Sequence, residues 1–164
     1  MSNWGNCSTC GSAIVIPVGE KGDSGSSIAG VITVATASYT LDPAQTGSLV
    51  VLDRAAGSDV TLPTDPATGT YYTFTVATDV TSNDYSVNLG SAGENFEGYL
   101  FGMKAATAPE LFTPSALGTS ILSMNGSTTG GLVGTQFSVV YTETNVWTLS
   151  GNFYGTGALA NPVS

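Results

Sequence analysis

The sequence has no histidine, and its 164 residues hold three basic side chains, Lys21, Arg54 and Lys104, against twelve acidic ones. The missing imidazole removes the side chain that titrates nearest neutrality and the commonest metal ligand. Ser–His and Cys–His nucleophile pairs and ordinary zinc sites go with it. A net charge of −9 works against nucleic acid and anionic membranes as partners, because neutralising phosphates takes Lys and Arg. No apolar run approaches the ~18 residues of a membrane span. The opening Met1-Ser-Asn-Trp-Gly has neither a basic n-region nor an apolar h-region, so no classical secretory signal is expected and synthesis in a cytoplasm is. Charged residues make up 9% of the chain, far under the usual quarter or so, and its polar surface must therefore come from Ser, Thr, Asn and Gly. Windows of helical period are missing as well.

The two cysteines, Cys7 and Cys10, form one Cys-x-x-Cys pair. A thioredoxin-type redox site needs a βαβ context that the flanks do not provide. A zinc knuckle needs a second ligand pair. What is left is reduced thiols, a small local disulfide, or several such pairs gathered by symmetric assembly.

Residues 1–30 differ from the rest. Small polar residues surround the cysteines and cannot bury enough apolar surface to fold alone. Ala13-Ile-Val-Ile-Pro-Val18 is strand-like, with Pro17 suiting it to an edge or an extended arm. Gly19-Glu-Lys-Gly22-Asp-Ser-Gly25 places glycine at period three, as in a collagen-like neck or a flexible linker. From Val31 onward, β-branched segments alternate with turn signals every ~8–12 residues, the rhythm of an antiparallel sandwich or barrel. Residues 31–41 read as one strand. Tyr72, Phe74 and Val76 share one face of the clearest strand, and Tyr85, Val87 and Leu89 share a face of the next. Gly98-Tyr-Leu-Phe-Gly-Met103 is apolar throughout, as expected of a strand buried on both faces or lying at a subunit contact. Asn125-Gly126 signals a hairpin turn, residues 136–142 and 145–150 read as a hairpin around Glu143-Thr144, and 151–164 as a Gly-rich tail. The fold class predicted is all-β: an antiparallel β-sandwich or jelly-roll-like head over 31–164, preceded by an extended N-terminal arm over 1–30.

Candidate chemistry is sparse. Asp79 and Asp84 in one loop offer a weak Ca²⁺ site, against the simpler reading of a solvated turn. Glu94 and Glu97, near Phe96 and Tyr99, are the best carboxylate pair for glycoside hydrolysis, against the reading of a surface loop. A serine nucleophile would have only Lys21 or Lys104 as base, and no Ser-x-x-Lys motif occurs. Tyr71, Tyr72, Tyr85, Tyr99, Tyr141, Trp147 and Tyr154 are suited to a sugar-stacking platform, but core or interface packing is the simpler role. The composition therefore predicts a structural or binding module, not an enzyme, with no catalytic residues, no metal and no cofactor.

Tyr39-Thr-Leu-Asp, Thr46-Gly-Ser-Leu-Val-Val-Leu-Asp53, Val60-Thr-Leu-Pro63, Gly69-Thr-Tyr-Tyr-Thr-Phe-Thr-Val76 and the closing Val146-Trp-Thr-Leu-Ser-Gly151 resemble segments of tailed-bacteriophage virion proteins. The Gly-x-y run before the head looks like the necks of phage fibre-type proteins. The resemblance covers residues 19–151 and implies a trimerising β head attached to the particle by an N-terminal arm. Small size favours a capsid decoration (cement) protein on the capsid exterior, with the major capsid protein and further copies of itself as partners. Trp4, Cys7, Cys10, Ile14, Val15, Ile16 and Val18 are then the candidate capsid-anchoring residues. The alternative is a fibre or receptor-binding head that recognises host surface glycans.

Overall fold

A computed structural model describes residues 29–105, 107–114 and 119–164. Residues 1–28 of the predicted arm, with the cysteine pair, the Gly-x-y run and all seven candidate anchoring residues, lie outside the described residues. Within them run eleven strands: β1 (Val31–Val34), β2 (Ser38–Thr40), β3 (Leu49–Leu52), β4 (Ser58–Thr61), β5 (Tyr71–Val76), β6 (Tyr85–Asn88), β7 (Asn95–Met103), β8 (Glu110–Phe112), β9 (Ile121–Met124), β10 (Gln136–Glu143) and β11 (Val146–Tyr154). The only helix among the described residues is the 3-10 turn Pro43–Gln45, so none there is long and apolar enough to cross a membrane.

The strands form a seven-stranded sheet in the order β1-β3-β5-β10-β11-β7-β8 and a four-stranded sheet in the order β2-β4-β6-β9. Their inner faces meet in one core that includes Val50, Phe74, Val139, Trp147 and Leu149 from the first sheet and Val60, Tyr85, Val87, Leu122 and Met124 from the second. Alternation produces this directly, since successive side chains of a strand point to opposite faces. In β5, Tyr72, Phe74 and Val76 are buried while Tyr71 is exposed. Phe74 stacks on Phe137 with ring centroids 4.9 Å apart, and Trp147 sits edge-on to Tyr141 at 5.2 Å.

The all-β, sandwich-like character agrees with the sequence reading, but the antiparallel pairing is corrected: both sheets are mixed. From β1 to β6 the chain visits the two sheets alternately, so each strand lies beside the strand two places earlier and runs parallel to it. Val31 pairs with Leu49 and Leu49 with Thr73 in one sheet, while Tyr39 pairs with Val60 and Val60 with Val87 in the other. Residues 31–41 accordingly do not form one strand. They break after Val34, and the chain crosses between sheets where the Ser58 hydroxyl donates to the Thr36 carbonyl at 2.6 Å. The return crossing is held by a capping box, in which the Asp42 carboxylate accepts from the Ala44 amide and the Gln45 side-chain oxygen from the Asp42 amide.

After these three coils the pairing changes. β10 runs antiparallel to β5 and β9 antiparallel to β6. The β10–β11 hairpin is present, but it turns through Thr144-Asn145, with Asn145 at φ 65°. β11 then lies parallel to β7 along all nine residues of both strands. That approach requires Gly98: its φ is 103°, and a Cβ there would lie 2.1 Å from the Leu149 carbonyl oxygen. Asn125-Gly126 does not make a hairpin, because the strands it separates, β9 and β10, belong to different sheets. Instead the Asn125 side-chain oxygen accepts from the amides of Ser127, Thr128 and Thr129, an Asx-type turn. The tail is ordered onto the free side of β9: Val163 bridges Leu122, and the Ser164 carbonyl accepts from the amides of Ser120 and Ile121.

Candidate functional site

The carboxylates proposed for chemistry are not brought together. Glu94 is buried and its Oε2 accepts from the Ser91 amide at 3.2 Å. Glu97, on the opposite parity of the strand, points outward and takes only a long 3.4 Å contact from the Asn95 side-chain amide. Asp79 accepts from the Val133 amide, whereas Asp84 accepts from the Ser123 hydroxyl. Each of these two is committed to a different partner strand or loop, and no group of three His, Cys, Asp or Glu side chains able to hold a metal occurs among the described residues. Arg54 spends its guanidinium on the carbonyls of Ala56 and Gly57, so it braces its own turn.

Two open clefts flank the four-stranded sheet. One, of about 490 Å³, is lined by Asn88–Glu94 with Ser120 and Ile121. The other, of about 230 Å³, is lined by Arg54, Ser58, Asp59, Asn83, Asp84 and their neighbours. The first mixes Leu89 and Ile121 with Asn88, Ser91 and Ser120, and the second is the more polar of the two.

The aromatics divide sharply. Tyr72, Tyr85, Tyr141 and Trp147 are core residues. The Tyr72 hydroxyl donates to the Asp42 carbonyl at 2.8 Å, and burial, reinforced by the Asp42 charge, pushes its pKa up to about 12. The Tyr85 hydroxyl donates to the Thr78 carbonyl and accepts from the Arg54 amide; burial raises its pKa too. These two phenols pin the crossings between sheets and are withheld from any ligand.

Tyr71, Tyr99 and Tyr154 point outward instead, and all three stand on one surface, the outer face of the seven-stranded sheet. Pairing registers lay its side chains out in rows. One row runs Val31, Leu49, Thr73, Ser138, Ser150, Tyr99. The next runs Thr33, Val51, Thr75, Gln136, Asn152, Phe101, Leu111. Val31 is 66% exposed, Leu111 60%, Tyr99 46% and Phe101 41%, and the last two rings touch edge-on at 5.6 Å. The face is therefore apolar at both ends, with a hydroxyl and amide stripe between, where Thr73 and Ser138 share a 3.0 Å hydrogen bond. Glu97 is the one charged side chain in this array, on the neighbouring Tyr71–Val140–Thr148 row. The exposed apolar residues thus fall into two groups, Val31 with half-buried Leu49 beside it at one end and Tyr99, Phe101 and Leu111 at the other.

Sequence reasoning missed Val31 and Leu111 as members of this surface, and it placed Phe101 only within the stretch 98–103, expected to be buried on both faces or to lie at a subunit contact. The available signal was the uniformly apolar stretch 98–103: alternation there buries Leu100 and leaves Tyr99 and Phe101 outside. No family model, no curated protein and no solved structure matches the chain.

Proposed function

We propose that this protein is a structural component of a tailed-phage virion, decorating the outer capsid surface as a homotrimer anchored to the major capsid protein through residues 1–30. The observation that carries an assembly role is the nearly uncharged, partly apolar outer face of the seven-stranded sheet. In a chain of net charge −9 such a face is unexpected unless it meets a partner. The resemblance of residues 19–151 to virion proteins supplies the particle, and the jelly-roll-like head belongs to the same reading. The experiment is fractionation of gradient-purified particles from cultures carrying this sequence, with mass spectrometry and antibody labelling. Many copies per particle are expected, released by a variant lacking residues 2–18. A chain found only in the soluble lysate overturns the reading, and retention of the shortened variant overturns the anchoring role of the arm.

The exposed Tyr99–Phe101 pair favours one second reading, a head that stacks host glycans on aromatic rings. Specific, saturable binding on a glycan array that Tyr99→Ala abolishes would favour it over decoration.

A further inference from the structure

We infer that the outer face of the seven-stranded sheet is covered by a second copy of this chain. The inference names the partner of the surface described above and rests on the assembly reading only in taking that surface as an interface.

Size is the first argument. Six inter-strand spacings of about 4.8 Å make the face about 29 Å wide, and strands averaging roughly six residues at about 3.3 Å each make it about 20 Å deep. That is on the order of 600 Å² in projection, and more as accessible area, close to the ~800 Å² per partner of a standard interface. A small ligand would cover only part of it.

Charge is the second. Two chains of net charge −9 repel wherever their acidic surfaces approach. Among the paired described residues of this face the charged side chains are Glu97 and Glu143, both at one margin. It is a large surface on which like copies can meet without setting carboxylate against carboxylate.

Shape is the third. The fold already packs two sheets face to face around one core, and such packings generally set sheets about 10 Å apart with strands inclined by ~30°. Val31 and Leu49 at one end and Tyr99, Phe101 and Leu111 at the other supply the apolar contacts. The hydroxyl and amide stripe between them can hydrogen-bond across a two-fold or line the centre of a closed ring, since its groups both donate and accept.

The test is the mass in solution of the full-length chain, by sedimentation equilibrium across the micromolar range. The wild type is expected to be heavier than the 16.6 kDa chain. Tyr99→Asp and Val31→Asp, at opposite ends of the face, are each expected to weaken association at least tenfold, while Thr61→Asp on the other sheet changes it less than twofold. Far-UV circular dichroism and melting confirm folding, and Phe101→Ser replaces Tyr99→Asp if the latter unfolds. A wild type that stays monomeric, or an oligomer indifferent to substitutions at both ends, overturns the inference. A monomer that still sediments with particles would overturn it, and the homotrimer with it, while leaving the place on the virion standing.

Discussion

Across the four-stranded sheet, one outward row reads Ser38, Asp59, Ser86, Ser123; across the seven-stranded sheet, the row through Val31 reads Val, Leu, Thr, Ser, Ser, Tyr. The inner faces show no such contrast, since both are aliphatic and aromatic and feed a single core. Folding demands apolar residues inside, where each buried side chain contributes about 1.5–3 kcal/mol. It makes no such demand of the outside. What the two outer faces do not share must answer to something other than the fold. On the four-stranded sheet the next outward row, Thr40, Thr61, Asn88 and Ile121, adds one exposed aliphatic at the β9 edge, and the hydroxyls, amide and carboxylate of the two rows suit contact with water. On the other sheet the same alternation leaves rings and branched aliphatics facing out.

The contrast can be attacked from the inside first. If the sheets differ only in their outer faces, truncating a buried residue should hurt on either side. Trp147→Ala, in the seven-stranded sheet, is expected to cost about 4 kcal/mol and Val87→Ala, in the four-stranded one, about 2–3 kcal/mol, measured by urea denaturation. A Val87→Ala variant as stable as wild type would mean that the four-stranded sheet is not part of the same cooperative core.

A slightly smaller loss is expected from Gly98→Ala, which asks a left-handed residue to carry a Cβ into the Leu149 carbonyl. We expect roughly 2–3 kcal/mol, read from the denaturation midpoint, with β7 and its exposed Tyr99 and Phe101 shifting most. An unchanged midpoint would dissociate the apolar face from the β7–β11 pairing that presents it.

Tyr72 gives a pH dependence. Its phenol is held up to about 12 by burial, whereas in the unfolded chain it titrates near 10. Between those values the native state keeps a proton that the unfolded state has lost, so stability is full below about pH 10 and falls as pH rises toward 12. The loss is roughly 2–3 kcal/mol for this group. Denaturation at pH 8 and 11.5 should show it, and Tyr72→Phe should reduce the fall, leaving the part that the raised Tyr85 phenol contributes; an equal fall in that variant would assign the effect to other groups.

The smallest effects belong to the surfaces themselves. Thr61→Val on the polar face and Leu111→Thr on the apolar face are each expected to change the stability of the chain by no more than about 0.5 kcal/mol. A larger stability loss from Leu111→Thr, measured at a concentration where the wild type is monomeric, would make that exposed leucine part of the fold and weaken the contrast.

Much of the strand content was legible because alternation is local. Tyr72, Phe74 and Val76 announce their shared face within six residues, and the β10–β11 hairpin is announced by its short turn. Pairing is not local. Whether Leu49 lies beside Val31 or antiparallel to its chain neighbour depends on where each crossing delivers the next strand, and the crossing at Thr36 rests on a hydroxyl from Ser58, distant in sequence. Antiparallel pairing was the natural expectation from short turns, and it failed where turns lead to the opposite sheet. The outer face was half legible: the apolar stretch 98–103 stood out, but Val31 and Leu111 join it only through β3, β5, β10, β11 and β7. The residues assigned to the arm were read from composition, and their role rests on the proposal above.

The parallel coils from β1 to β6 have an architectural corollary. Each coil repeats the cross-section of the one before, so the molecule has an axis along which it can lengthen without redesign, as a stack of plates can gain one more. Antiparallel β9 and β10 close that stack at the β5–β6 side. Inserting a duplicate of residues 49–70 after Thr70 should therefore move the two ends of the molecule apart by about 4.8 Å, one inter-strand spacing, while leaving the capping strands undisturbed. Sequence variants of different length within this region would then differ in reach rather than in fold.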